Sequence, residues 1–336
     1  MSSSLKRRVI CFGLGPIGLS IARLAAKRRS IEIVGAVDTA PGLVGRDLGE
    51  LLGIGGMGIM VQNNGHDLYR KADIVLHATT SFLSSARSQL EEFCRNGVDV
   101  VSTCEELAYP WFSHRLIAKE LDSAAKRRDV TLLGTGVNPG FVMDALAITL
   151  SGVCEQVSEI RVTRVLDATK RRLPFQMKVG IGLDVREFYQ NVRTGKFGHI
   201  GLPESVAMTC AAMGSRIERF EQKIRPKIAS KNLTTENFGT VRKGKVVGLI
   251  QDGSGFAGGS RVAKYHIEMY AGAMNPHDEI ELVGVPRISL RIPGGTPGDI
   301  ATAAVIVNSI PRVVESAPGL ITVMDLRPAC STLGAE

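Results

Sequence analysis

At 336 residues the chain exceeds the length, roughly 250–300 residues, at which one hydrophobic core stops growing, so two domains are expected. Hydrophobic residues make up 44% and charged residues 22%, which excludes a disordered chain; no apolar run approaches the roughly 20 residues of a membrane span, and a soluble, cytoplasmic protein is expected. Lys plus Arg number 41 against 33 Asp plus Glu, but much of the excess lies in four Lys-Arg-Arg triplets beginning at Lys6, Lys27, Lys126 and Lys170. The second and third close predicted helices, where cations complement the helix dipole, so no nucleic-acid partner is expected. The six cysteines are scattered, without a C-x-x-C pair or zinc-finger spacing, which points to reduced thiols and no metal site.

In chain order, residues 8–12 form a short apolar run of the kind buried in a parallel sheet, and Gly13-Leu14-Gly15-Pro16-Ile17-Gly18 follows it directly. This G-x-G-x-x-G opens a helix whose apolar residues Ile17, Ile21, Leu24 and Ala25 recur at helical spacing. The first glycine permits a tight turn, the second lets a pyrophosphate approach the backbone, and the third lets helix and strand pack closely. Pro16 suits the first helical turn, where its missing N–H costs nothing. A second strand, 31–38, ends in Asp38, 20 residues after Gly18, where a carboxylate can accept hydrogen bonds from the adenosine ribose. The same charge would repel a 2′-phosphate, so NAD(H) is preferred; Arg46 leaves NADP(H) possible.

Strand-like runs at 74–78, 98–102 and 130–133 alternate with amphipathic stretches at 83–96 and 112–127. The alternation predicts an α/β, Rossmann-type, doubly wound parallel sheet over 1–150. Ligands of such sheets bind beyond the carboxyl ends of the strands, which directs attention to three segments. Thr79 and Thr80, after the third strand, can line the cofactor's path towards the nicotinamide or cap the next helix. Thr103-x-x-Glu106 fits a capping box, in which Glu106 folds back on its own helix start and Glu105 is left to act as general base or to stabilise a cation. Residues 134–141 form a turn-rich loop containing Asn138 and Phe141.

From about residue 155 the pattern changes to alternating runs at 160–165, 244–250 and 261–267, with helices expected at 182–193, 204–224 and 299–316. The second domain, 151–295, is therefore expected to be α+β on a mostly antiparallel sheet, with 296–336 packing back on the first.

The glycine turn with Asp38, the segment from Ser102 to Trp111, Asn138-Pro139-Gly140-Phe141 and the run from Gly298 to Pro311 together resemble the 2,4-diaminopentanoate dehydrogenase and native amine dehydrogenase family, over nearly the whole chain. The resemblance implies a fold related to dihydrodipicolinate reductase and interconversion of an amine with a carbonyl compound and ammonia, using a nicotinamide cofactor. It aligns the family's key carboxylate with Glu105 and makes Asn138, Phe141, Arg164, His266 and Thr302 candidates for the substrate pocket. Each has a structural alternative: turn former, core residue, sheet ion pair or satisfied buried histidine. A homodimer through the second domain's sheet follows from the same likeness. The reductase's own His-His-x-x-x-Lys segment is missing, as is the Glu-Lys-Pro of sugar-type oxidoreductases. Two alternatives stay open: a diamino acid as substrate in place of a simple amine, and a sensor that binds NAD without turnover.

Overall fold

The computed structural model describes residues 6–195 and 197–332. Its elements run β1 (Arg7–Phe12), α1 (Pro16–Ala26), β2 (Ile31–Val37), α2 (Leu48–Leu52), β3 (Val61–Gln62), β4 (Ile74–His77), α3 (Leu83–Arg95), β5 (Asp99–Ser102), α4 (Arg115–Arg127) and β6 (Thr131–Gly134). There follow α5 (Ala145–Ser151), β7 (Gln156–Asp167), α6 (Leu173–Lys178), α7 (Val185–Arg193), α8 (Leu202–Ala212), β8 (Arg219–Ile228), β9 (Leu233–Thr235), β10 (Gly239–Val241), β11 (Val246–Ala257), β12 (Ser260–Tyr270), β13 (His277–Val285), β14 (Ile288–Pro293), α9 (Gly298–Val314) and β15 (Gly319–Ile321). They divide into two compact units, Met1–Phe141 with Pro297–Glu336, and Val142–Thr296. The first break falls before α5, which lies in the second unit.

In the first unit seven parallel strands stand in the order β15-β6-β5-β4-β1-β2-β3. Alternate residues of each strand serve opposite faces. Val9, Cys11, Leu76, Val101 and Leu133 pack with α1, α2 and α9 on one side. Ile10, Val75, Val100 and Leu132 pack with α3 and α4 on the other. Strands buried on both sides read as continuous apolar runs, which is why 8–12 and 74–78 look as they do. The order reverses between β1 and β4, and the segments after those two strands meet at this switch point.

The second unit is built on a six-stranded mixed sheet, β14-β13-β7-β12-β11-β8, antiparallel except where β7 pairs with β12. Helix α8 packs on β11 and β12, and α5 on β13. Ile160, Val162, Ala263, Tyr265, Ile280 and Leu282 form the buried row on that side. The helix expected over 204–224 stops at Ala212; Gly214 takes a left-handed φ of +77° and the chain continues as strand β8. Phe220, Ile224 and Ile228 recur every four residues, a spacing that satisfies the helical period and the strand period alike, so only the glycine separates the two.

Candidate active site

The glycine turn fits a dinucleotide. Gly13 has φ +88°, and a Cβ there would come within 2.6 Å of the Ala78 carbonyl oxygen, so a side chain is excluded by conformation and by space. At Gly18 a Cβ would collide with the Gly13 carbonyl oxygen, whereas at Gly15 it would meet nothing within 4 Å. The turn is therefore closed against the protein and open at the position where a pyrophosphate would approach. Pro16 opens α1, and Ile17 packs partly buried against the core. Asp38 holds the turn from the far side: its carboxylate accepts from the backbone N–H groups of Leu14 (2.6 Å) and Ala40 (2.8 Å). Each carboxylate oxygen retains a second lone pair for a hydroxyl donor. Thr80 Oγ1 accepts from Phe82 N (3.2 Å), and Thr79 Cγ2 lies beside Gly13.

Glu105 begins a 3-10 turn, Glu105–Leu107, at the carboxyl end of β5. Its Oε2 is shielded from solvent. The turn lies across the end of β6, where a Cβ on Gly134 would strike the Leu107 backbone, so glycine there admits the close approach. The capping box expected for Thr103-x-x-Glu106 is not formed, since Cys104 is the residue at the head of the turn and caps nothing with its side chain. Glu106 instead reaches a different helix: its Oε2 accepts from Leu83 N (2.7 Å) at the start of α3 and stands 3.1 Å from His114 Nε2. A long-range cap replaces the local one because Phe82, the N-cap residue of α3, has no side-chain acceptor to offer. Burial pushes the neighbouring Cys104 thiol up to about 12, so it stays protonated and is not a nucleophile at neutral pH.

Residues at the carboxyl end of the sheet form one row, Phe12–His77–Ser102–Gly134, in register. His77 is fully buried, with Nδ1 2.7 Å from Ser102 Oγ and Nε2 2.9 Å from Gln89 Oε1 and 2.7 Å from Thr79 Oγ1. Gln89 Oε1 is an acceptor and takes the Nε2 proton, so the imidazole is the Nε2–H tautomer and Nδ1 accepts from the Ser102 hydroxyl, whose oxygen also accepts from Cys104 N (3.0 Å). Burial lowers the pKa of His77 to about 4. Because the folded value lies below the unfolded one near 6.5, unfolded chains bind the extra proton in between, and stability falls as pH drops from about 6.5 towards 4. The full effect for this group is roughly 3 kcal/mol by the linkage relation, and the expected result is a melting temperature that declines over that window and declines less in His77→Gln, read by thermal denaturation at fixed ionic strength.

Val137 N donates to Thr302 Oγ1 (3.4 Å), which joins the loop containing Asn138 to α9. Asn138 precedes Pro139 through a cis peptide, and Phe141 is exposed rather than core.

In the second unit Arg164 is buried on β7. Its Nη2 donates to the Thr296 carbonyl (2.8 Å), and Nε lies 3.5 Å from Asp278 Oδ1 on the adjacent strand. Nη1 has no hydrogen-bond partner among the described residues. Burial lowers its pKa and the Asp278 charge opposes the shift. His266 pairs in register with Thr163, one residue from Arg164, and so points to the opposite face of the sheet. There it sits between Asp252 (2.7 Å) and Glu268 (3.1 Å), at a depression of about 400 Å³ that Arg161, Lys264 and Glu281 also line. The two pocket candidates from this unit are thus not brought together. His199 stands outside the residues the sequence points to; burial, and then the charges of Lys178 and Arg164, depress its pKa to about 3. No motif surrounds it, so only the fold could reveal it.

A model of the 2,4-diaminopentanoate dehydrogenase C-terminal domain matches residues 141–335, more than half of the chain. The chain belongs to the 2,4-diaminopentanoate dehydrogenase family. Its first part, residues 7–104, matches the dihydrodipicolinate reductase N-terminal domain. A 2,4-diaminopentanoate dehydrogenase of Acetoanaerobium sticklandii is 32% identical, over 96% of this chain and 93% of its own. An amine dehydrogenase of Streptomyces virginiae is 23% identical over 97% and 98%. Among solved structures, the amine dehydrogenase from Mycobacterium smegmatis superposes with a TM-score of 0.85 at 26% identity, over 97% of each chain. Family membership makes the chain an oxidoreductase acting on a CH–NH2 group, on a dinucleotide-binding dehydrogenase fold.

Proposed function

We propose that the chain catalyses reductive amination of a small ketone or aldehyde with ammonia and a reduced nicotinamide dinucleotide, and the reverse oxidative deamination, with Glu105 as the catalytic carboxylate. The observation that carries this reading is a shielded carboxylate on a braced turn at the same strand ends as the glycine turn. When bound, the dinucleotide supplies or accepts the hydride. Gly13, Gly15, Pro16, Ile17 and Gly18 seat its pyrophosphate, and Thr79 and Thr80 line the way to the nicotinamide. Glu105 takes a proton from ammonium, freeing the nitrogen lone pair to attack the carbonyl carbon. The protonated Glu105 then returns that proton to the carbinolamine hydroxyl, which leaves as water, and the regenerated carboxylate favours the cationic iminium, a better hydride acceptor than the carbonyl, in a site of low dielectric.

Asp38 accepts from the ribose hydroxyls and disfavours a 2′-phosphate, so NAD(H) is preferred and NADP(H) is used less well. Asp38→Asn is expected to shift the ratio of kcat/KM for NADH over NADPH downwards by about tenfold, checked by initial rates with each cofactor. The second unit serves substrate recognition and dimerisation, with Arg164 as its pocket candidate, while Asn138, Phe141 and Thr302 are the pocket candidates of the first unit; His266, on the open sheet face, suits a homodimer contact better. A cytoplasmic enzyme is in keeping with its free cysteines, and among the described residues no helix is long and apolar enough to cross a membrane.

The test is NADH oxidation at alkaline pH with excess ammonium and a panel of cyclohexanone, pentanal and 2-amino-4-ketopentanoate, each with an ammonia-free control. Ammonia-dependent oxidation supports the reading; activity without ammonia, or none, overturns it. A second reading, in which the substrate is a diamino acid, is favoured by the unmatched Nη1 of buried Arg164 and by the 32% identical relative.

A further inference from the structure

Two segments that the proposed chemistry must keep in register are joined through one neutral side chain. On the cofactor side, Thr79 Oγ1 binds His77 Nε2 while Thr79 Cγ2 lies against Gly13. On the other side, His77 Nδ1 binds Ser102 Oγ, and that oxygen accepts from Cys104 N, one residue before Glu105. Gln89 of α3 closes the network, with Oε1 taking both the Nε2 proton and the Thr79 hydroxyl (2.8 Å). The backbone adds parallel ties, since Thr103 N donates to the His77 carbonyl (2.9 Å) and Glu106 N to that of Ser81 (3.2 Å). An apolar residue at 77 would serve the core equally, for the ring already packs against Phe12 and Phe93. A buried imidazole is costly unless each nitrogen is satisfied, and here each is.

We propose that His77 is a positioning residue for the amination reaction, fixing the Glu105 turn relative to the loop beside the glycine turn so that carboxylate and dinucleotide keep one geometry. The inference rests on Glu105 being the catalytic carboxylate. Reactions enforced by proximity lose about 100-fold for displacements near 1 Å, so a loosened turn is read in kcat rather than in cofactor affinity.

The test compares His77→Leu, which removes both polar links and keeps the volume, with His77→Gln, which retains a donor near the Nε2 position. His77→Leu is expected to lower kcat at saturating NADH by about 10–100-fold while the NADH Kd, from fluorescence titration, changes less than about threefold; His77→Gln recovers part of the loss. In the Glu105→Ala background His77→Leu costs less than about threefold more, because the group it positions is gone. A folded His77→Leu with kcat within about twofold of wild type overturns the proposal, as do multiplicative effects in the double variant or a loss wholly accounted for by weaker NADH binding. Should His77→Leu fail to fold, Ser102→Ala cuts the link on the Glu105 side and is read by the same cycle. Full activity in Glu105→Ala alone withdraws the reading of Glu105 and this inference with it, whereas an inactive Glu105→Ala beside an unaffected His77→Leu removes the positioning role only.

Discussion

Glu105→Ala is expected to fold, to bind NADH as wild type does, and to lose amination by about 10²–10⁴-fold, the range that general-base and electrostatic contributions span together. The expectation that the fold survives comes from what braces the turn. Leu107 packs against Gly134, Glu106 reaches the N-terminus of α3 and Cys104 N donates to Ser102, and these three ties remain when the Glu105 side chain is removed. Glu106→Ala is the matched control. It removes the acceptor for Leu83 N and the partner of His114, so it should cost about 1–2 kcal/mol of stability, as the loss of a helix cap does, with a modest effect on kcat. Denaturant unfolding of both variants beside steady-state rates at saturating NADH separates the two glutamates. Wild-type kcat in Glu105→Ala would remove it from the chemistry.

Local features of this site are legible in the chain and distant ones are not. The glycine turn, Pro16 and Asp38 lie within 26 residues, and each has a residue type that its place in a strand–turn–helix demands, so spacing alone locates them. Glu105 stands out because it follows a buried strand. The partner of Glu106 does not, since Leu83 N is 23 residues away and becomes its neighbour only when β4 and β5 pair. For the same reason the sequence points to Thr79 and passes over His77, a residue that reads as one more strand position until Ser102 and Gln89 close around it. The second unit is harder still. Alternation shows that 160–165 and 261–267 are strands, but the face on which Arg164 or His266 lies depends on register and on which side the helices cover, and both arise from contacts over 100 residues apart. β3 and β15, of two and three residues, are too short to carry a period at all.

A variant at Arg164 tests which of the two substrate classes the chain accepts, and it must respect the residue's surroundings. Replacing it alone would leave the Asp278 carboxylate buried without its counter-charge, a defect that costs about 3–5 kcal/mol and would confuse lost folding with lost recognition. Arg164→Met combined with Asp278→Asn removes both charges, keeps the volumes close, and leaves an amide oxygen to accept from Thr296 N, which donates to Asp278 Oδ2 at 2.7 Å in the native chain. If the Nη1 donors of Arg164 hold a substrate carboxylate, kcat/KM for 2-amino-4-ketopentanoate should fall by about 100-fold or more, the worth of a charge-assisted pair lost in a desolvated site, while that for cyclohexanone or pentanal changes by less than about threefold. Equal losses on both kinds of substrate would make Arg164 a clasp for the β7–β13 pair and the Thr296 segment, and would favour a simple amine as the product. The comparison is informative because a buried guanidinium with a donor group unspent is unfavourable unless some ligand completes it, and a carboxylated substrate brings an anionic acceptor that the simple carbonyls lack.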